Sequence, residues 1–231
     1  MASYGCEAVD GGRYRLSFTV GGLLAEQGRT VAGLMVGDVA VVTDDTLRDT
    51  DNSGMFATAE LLESARRYAV AENVLQIRTR AAGVRIVNEV IKRLSALTMG
   101  ELHCIADADT LQSDRRALMW VAMCRYYALV GEFAQEVLRE HFLIGTPTIT
   151  YGDYEHFMLG KAMWHPEIDD LSTSTSAKLR SNVFKAMAEA GLVNRADDTI
   201  IPSLLSREVT GILMRRPESF GFFPMRGQIS A

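Results

Sequence analysis

Cysteine is scarce in this 231-residue chain. Cys6, Cys104 and Cys124 are odd in number and contain no Cys-x-x-Cys pair. That pattern excludes a disulfide framework and a paired-cysteine zinc site, and it fits reduced thiols in a cytoplasm. A leader is also missing. Residues 1–7 hold neither a basic stretch nor an apolar run, so no signal peptide is expected. No uncharged apolar run reaches the roughly 18 residues of a membrane span. The best candidate, residues 117–134, is interrupted by Arg125 and Glu132, and residues 20–42 are broken by Glu26, Arg29 and Asp38. The common catalytic signatures are absent as well: no P-loop, no GxGxxG, no GxSxG and no HExxH occurs. His103, His141, His156 and His165 follow no zinc spacing. Neither a metal nor a cofactor is expected, and the chain reads as non-enzymatic.

What is present is an ordinary globular composition, with 48% hydrophobic and 23% charged residues. A chain of this length suffices for one large domain or two small ones, and it can bury a core without crosslinks. Apolar residues recur at three- and four-residue steps from Ala57 to Leu97, with Gly83 as the expected break between two helices. A strongly apolar helix is predicted from Arg115 to about Val130, followed by one over 132–142. Gly145-Thr146-Pro147 breaks the chain. Thr150 with Asp153 predicts a capped start for a helix over 151–163, Gly191 a natural stop for a helix over 176–190, and 203–214 a last helix. The apolar tail Phe220–Pro224 is expected to pack back on the body. The expected fold is an all-α multi-helix globule that divides into two helical subdomains, the second resembling a helix-turn-helix or winged helix. The expected organisation is a loose N-terminus over 1–12, an N-terminal helical domain over 13–145 with an acidic loop at 43–54, and a C-terminal helical domain over 146–231.

The net charge of −5 argues against a uniformly basic surface but not against a local one. Residues 38–63 hold seven acids and one arginine, whereas residues 66–93 hold seven basic residues and two acids. Within the basic stretch Arg78, Arg85 and Lys92 recur every seven residues, with Arg93 alongside, so an unbroken helix would put them on one face. Such a face can meet phosphates. Alternatively it pairs with the acidic loop before it. A second candidate is the stretch from Ser172 to Val193. Thr175 and Ser176 offer hydroxyls and helix-terminal amides there, and Lys178, Arg180 and Lys185 supply positive charge against the single acid Glu189. Alternatively it is a plain capped core helix.

An ordered set of segments runs through the chain: residues 16–23 (LSFTVGGL), 72–79 (ENVLQIRT), 120–127 (WVAMCRYY), 136–140 (EVLRE), 161–167 (KAMWHPE), 175–180 (TSAKLR) and 189–192 (EAGL), with Arg85-Ile86 and Glu89-Val90 between them. In this order they resemble the BrxA family of BREX bacteriophage-exclusion systems, over about residues 13 to 215. The resemblance implies an all-α fold of the kind compared with NusB, and a host-defence role beside a methyltransferase and other BREX proteins. It also implies double-stranded DNA binding without catalysis. Some relatives carry an inner-membrane label, to which this sequence gives no support. Residues 37–58 look like an insertion relative to the family. The resemblance supplies no residue-level site, so the candidates remain the basic residues above. The resulting expectation is a monomeric, cytoplasmic, DNA-binding BREX component; the alternative is a protein–protein adaptor in the same assembly.

Overall fold

The structure, a computed structural model, describes residues 9–10, 12–37 and 54–226. Nearly all of the expected acidic loop, and most of the expected loose N-terminus, lie outside the described residues. By internal contact the chain divides into Leu24–Ala122 and a second unit made of Met1–Leu23 with Met123–Ala231. The contact boundary thus lies between Ala122 and Met123, where the sequence suggested 145/146, and residues 13–23 find hydrogen-bond partners in the C-terminal part.

The unit Leu24–Ala122 holds α1 (Ala25–Val36), α2 (Ala59–Ala71), α3 (Arg80–Leu94), α4 (Met99–Ala106) and most of α5 (Gln112–Tyr126). Helix α1 is central and packs on α4, α3 and α2. Its buried Val31, Ala32 and Met35 meet a core that includes Val87, Val90, Leu94, Leu102 and Ile105. Threonine side chains start three of these helices. Thr58 accepts from the Leu61 N–H and Thr79 from the Ala82 N–H, while Thr98 and Glu101 form a reciprocal capping box. The expected break at Gly83 is not there, since Gly83 is buried inside α3. The chain breaks over 72–79 instead. Asn73 and Gln76 adopt left-handed φ values of 46° and 51°. The Asn73 side chain takes over the backbone's role, accepting from the Ile77 N–H at 3.1 Å and donating to the Ile77 carbonyl at 3.3 Å.

In the second unit β1 (Val9–Asp10) and β2 (Arg13–Tyr14) form a short antiparallel pair. Helix α6 (Ala128–Phe133) runs into a π-helical segment (Ala134–Arg139) and then α7 (Glu140–Ile144). Next come α8 (Tyr151–Ala162), α9 (Thr173–Glu189), β3 (Val193–Asn194), β4 (Thr199–Ile200) and α10 (Arg207–Leu213). Short 3₁₀ turns cover Pro166–Ile168 and Pro217–Phe222. The Phe133 ring lies 5.2 Å from Tyr154 and 5.3 Å from Phe157, edge to face, at the centre of this core. Phe222 and Phe223 are buried, so the tail does pack back. The expected single helix through Val130 is interrupted at Tyr127, which is extended. Gly131 makes the interruption workable: a Cβ there would lie 2.8 Å from the Cys124 carbonyl oxygen and 3.2 Å from Phe222. Cys104 and Cys124 are buried and form no disulfide with each other. No described helix is long and apolar enough to cross a membrane.

Residues 15–23 lie outside helices and strands. Over residues 13–23, carboxylates accept two amides and one side-chain hydroxyl. The Tyr14 N–H donates to Glu167 at 2.6 Å, the Tyr14 hydroxyl to Glu132 at 2.5 Å and the Leu23 N–H to Glu189 at 2.5 Å. Asn182 donates to the Phe18 carbonyl at 3.0 Å. Burial works against the charge on Glu167, but the N–H of Tyr14, its own amide and the His165 ring outweigh it and hold the carboxyl below the ordinary glutamate value. Burial and the Glu132 carboxylate push the Tyr14 hydroxyl up.

Two outcomes are expected. Gly131→Ala will cost about 1–3 kcal/mol in urea unfolding, because a backbone oxygen cannot move aside for the new methyl group. A carboxyl whose folded pKa is depressed contributes stability above its unfolded pKa of about 4.3 and loses it as pH falls through the folded value. Melting temperatures followed from pH 6 to 3 will therefore fall less steeply for Glu167→Gln than for the unsubstituted chain.

Candidate nucleic-acid interface

Three extended pieces meet beside α8 and α9. Strands β3 and β4 pair antiparallel, with Val193 opposite Ile200. Thr148 then bridges Thr199 on the far edge of β4, supported by Ile149 N–H to Asp198 and Ile200 N–H to Pro147 at 3.0 and 2.8 Å. The order is helix, short strand, helix, helix, strand, turn, strand. This order of elements resembles that of a winged helix-turn-helix, in which α9 would be the second helix of the helix-turn-helix. Residues 163–172 make the turn longer than a minimal helix-turn-helix connection.

Helix α9 begins at Ser172, whose hydroxyl accepts from the Thr175 N–H at 3.2 Å. It buries Leu179, Val183, Phe184, Ala186 and Met187. The opposite stripe is exposed: Ser174, Ala177, Lys178, Ser181 and Lys185 follow one another at three- and four-residue steps. Small side chains let the helix backbone come close to whatever it faces. No carboxylate lies on the stripe before Glu189, which pairs with Lys185 at 3.8 Å.

The expected α9 contacts divide. Lys178 and Lys185 are exposed on the stripe. Thr175 and Ser176 are half-buried, and their amides are already satisfied by the Ser172 side chain and carbonyl. The Thr175 hydroxyl also bonds Ser172 at 2.9 Å. The Thr175 and Ser176 amides are thus taken up by the cap, and exposed Asp169 and Asp170 lie just before it. Arg180 is held by an ion pair to Glu155, with its guanidinium 4.4 Å from the Tyr151 ring centre. Arg195, in the turn between β3 and β4, also stacks on Tyr151 at 5.1 Å, donates to its hydroxyl at 3.2 Å and pairs with Asp198 at 2.7 Å. Tyr151 thus ties the hairpin to both helices.

In the other unit the four-residue basic face does not form. The break at 72–79 leaves Arg78 outside α3. Arg85 is exposed, with its Nε donating to the Ala81 carbonyl at 3.3 Å, and Lys92 is half-buried. Arg93 has no exposure at all and pairs with buried Glu89 at 2.8 Å. It is withdrawn as a phosphate contact, because it sits four positions after Glu89 on the core side of the helix. Among the described residues no three His, Cys, Asp or Glu side chains gather to hold a metal ion.

The BrxA family model matches residues 55–217. The chain belongs to the BrxA family. BREX protein BrxA from Escherichia coli O9:H4 (strain HS) is 29% identical over 128 residues, which are 54% of this chain and 58% of that protein. BREX protein BrxA from Bacillus cereus (strain H3081.97) is 26% identical over 126 residues, 54% of this chain and 62% of that one. The matched regions thus span about three-fifths of the length of these relatives. The crystal structure of an uncharacterized protein from Magnetospirillum magneticum shares the fold, with a TM-score of 0.66 at 20% identity, covering 90% of this chain and 96% of that one.

Sequence reasoning missed Ser174, Ser181, Tyr151 and Arg195 in this BrxA-family chain. The two serines had a readable signal, since each lies on the same helical repeat as Lys178 and Lys185. Tyr151 and Arg195 are 44 residues apart and meet only through the fold. Arg93→Ala is expected to destabilise the protein by about 3–5 kcal/mol, because it removes the ion pair to the buried Glu89 carboxylate. Chemical denaturation measures that cost. Binding to any nucleic acid, measured where the variant remains folded, should be unaltered.

Proposed function

We propose that this chain is a non-enzymatic, cytoplasmic component of a BREX bacteriophage-exclusion system that binds duplex DNA through α9. The observation carrying this reading is the exposed stripe of small and basic residues on the second helix of an arrangement that resembles a winged helix-turn-helix. Lys178 and Lys185 meet phosphates, while Ser174, Ala177 and Ser181 let the helix approach the groove. The arginines of the 66–85 stretch are not needed. The net charge of −5 disfavours contact away from this face, so orientation on the duplex is set by the stripe itself.

A second reading, a protein-binding adaptor, draws on three exposed apolar side chains at the end of α8 and just beyond: Leu159, Met163 and Trp164 at 71%, 78% and 81% exposure. Other BREX proteins would be its partners. Co-purification that survives nuclease and high salt favours the adaptor.

The experiment is a fluorescence titration of a 20-base-pair duplex at several salt concentrations. Lys178→Ala/Lys185→Ala is expected to weaken binding to all sequences and to flatten the log–log salt slope by about 1.8, at about 0.9 per lost phosphate contact. Unchanged affinity and slope in a folded double variant would defeat the α9 reading.

A further inference from the structure

The connection between α2 and α3 encloses a cavity of about 210 Å³ that the DNA reading does not use. Val70, Leu75, Ile77, Val84 and Val87 give it an apolar wall, and Arg78 and Arg80 stand at its edge. An apolar cavity of about 150 Å³ already accepts a benzene ring, so this one has room for one phenylalanine- or leucine-sized group. Gly83 keeps it open. A Cβ at that position would reach only Asn73 and Ile77, each at 3.8 Å. The wall is set in place beforehand, because both hydrogen bonds from the Asn73 side chain fix Ile77.

The charge around the cavity has one sign. Arg67, Arg78, Arg80 and Arg85 are exposed, and the nearby Arg66 is taken up by Glu63 at 2.6 Å. Among the described residues neither Arg78 nor Arg80 makes an ion pair, and the one acid in the connection is Glu72. Arg80 occupies the first position of α3, whose first turn has no acid. A cation there works against the helix dipole, so local helix stability does not account for it. An apolar cavity edged by uncompensated arginines calls for a ligand that is apolar at one point and anionic around it. A duplex backbone offers phosphate and sugar, with nothing to fill the cavity.

We propose that this cavity docks an acidic segment of a partner protein, with one aromatic or branched aliphatic side chain inserted and flanking carboxylates on Arg78 and Arg80. The site is independent of the α9 reading, whose lysines are unchanged in every variant below.

The test uses the full chain and a fluorescein-labelled acidic heptapeptide with one central phenylalanine, beside the same peptide with alanine in its place. Fluorescence anisotropy is expected to show the alanine peptide about tenfold weaker or more, from the apolar area it cannot bury. Gly83→Leu and Val84→Trp each fill the cavity and should abolish the difference between the two peptides. Both should retain the circular dichroism spectrum of the unsubstituted chain. Arg78→Gln/Arg80→Gln should weaken both peptides at least fivefold at low salt. Equal binding of the two peptides, or full phenylalanine-peptide affinity in a folded cavity-filled variant, would overturn the proposal. So would failure to bind either peptide, or a duplex that displaces the peptide and itself needs the open cavity.

Discussion

A segment that lies mostly outside helices and strands must still satisfy its backbone polar groups, and that constraint shapes the second unit. In residues 13–23 the Tyr14 and Leu23 amides donate to Glu167 and Glu189, the Phe18 carbonyl accepts from Asn182, and the Tyr14 hydroxyl donates to Glu132, all partners from far along the chain. Two of these, Asn182 and Glu189, lie on α9. The segment therefore braces the helix that carries the exposed stripe, while Phe18 and Tyr127 close the core beneath at a ring distance of 5.0 Å. Glu132 is shared further, pairing with Lys161 at 2.5 Å, so the brace extends to α8. The arrangement ties the positions of α8 and α9 to the same few acids.

How charge is used separates the candidate residues more clearly than how much charge is present. Arg93 serves the core, Arg180 and Arg195 serve the Tyr151 cluster, and Lys161 serves Glu132 and Glu136. Lys178 and Lys185 stay at the surface, the latter in a loose pair between two exposed side chains that water and salt readily loosen. An acidic chain can in this way present a small basic face without a large basic field. Short residues between the two lysines matter as much as the charges, since they set how near a large partner can come.

Much of the helical framework was legible because it depends on local rules. The Thr150–Asp153 capping box, the left-handed Gly191 after α9 and the amphipathic stripes of α2 and α3 all follow from residues within one or two turns of each other. The break at 72–79 escaped because neither Asn73 nor Gln76 is a glycine, and the side-chain bonds from Asn73 that permit it have no strong pattern. The π-helical segment at 134–139 escaped for a similar reason: no composition marks a one-residue change in hydrogen-bond register. Arg93 was misplaced because its charge and spacing fit a surface face, while its partner Glu89 makes burial tolerable.

Composition and periodicity by themselves determined a mainly helical chain and a basic helix before Gly191. Ordered segments determined the BrxA family. Tertiary structure decided which cations face outward, that Thr148 joins β4 beside a two-stranded hairpin, and that an apolar cavity opens beneath two arginines. The bridge from Thr148 to Thr199 joins residues 51 positions apart, while the cavity and the burial of Arg93 depend on how neighbouring elements pack. Helical spacing states which side chains share a face, but only packing decides which face is covered.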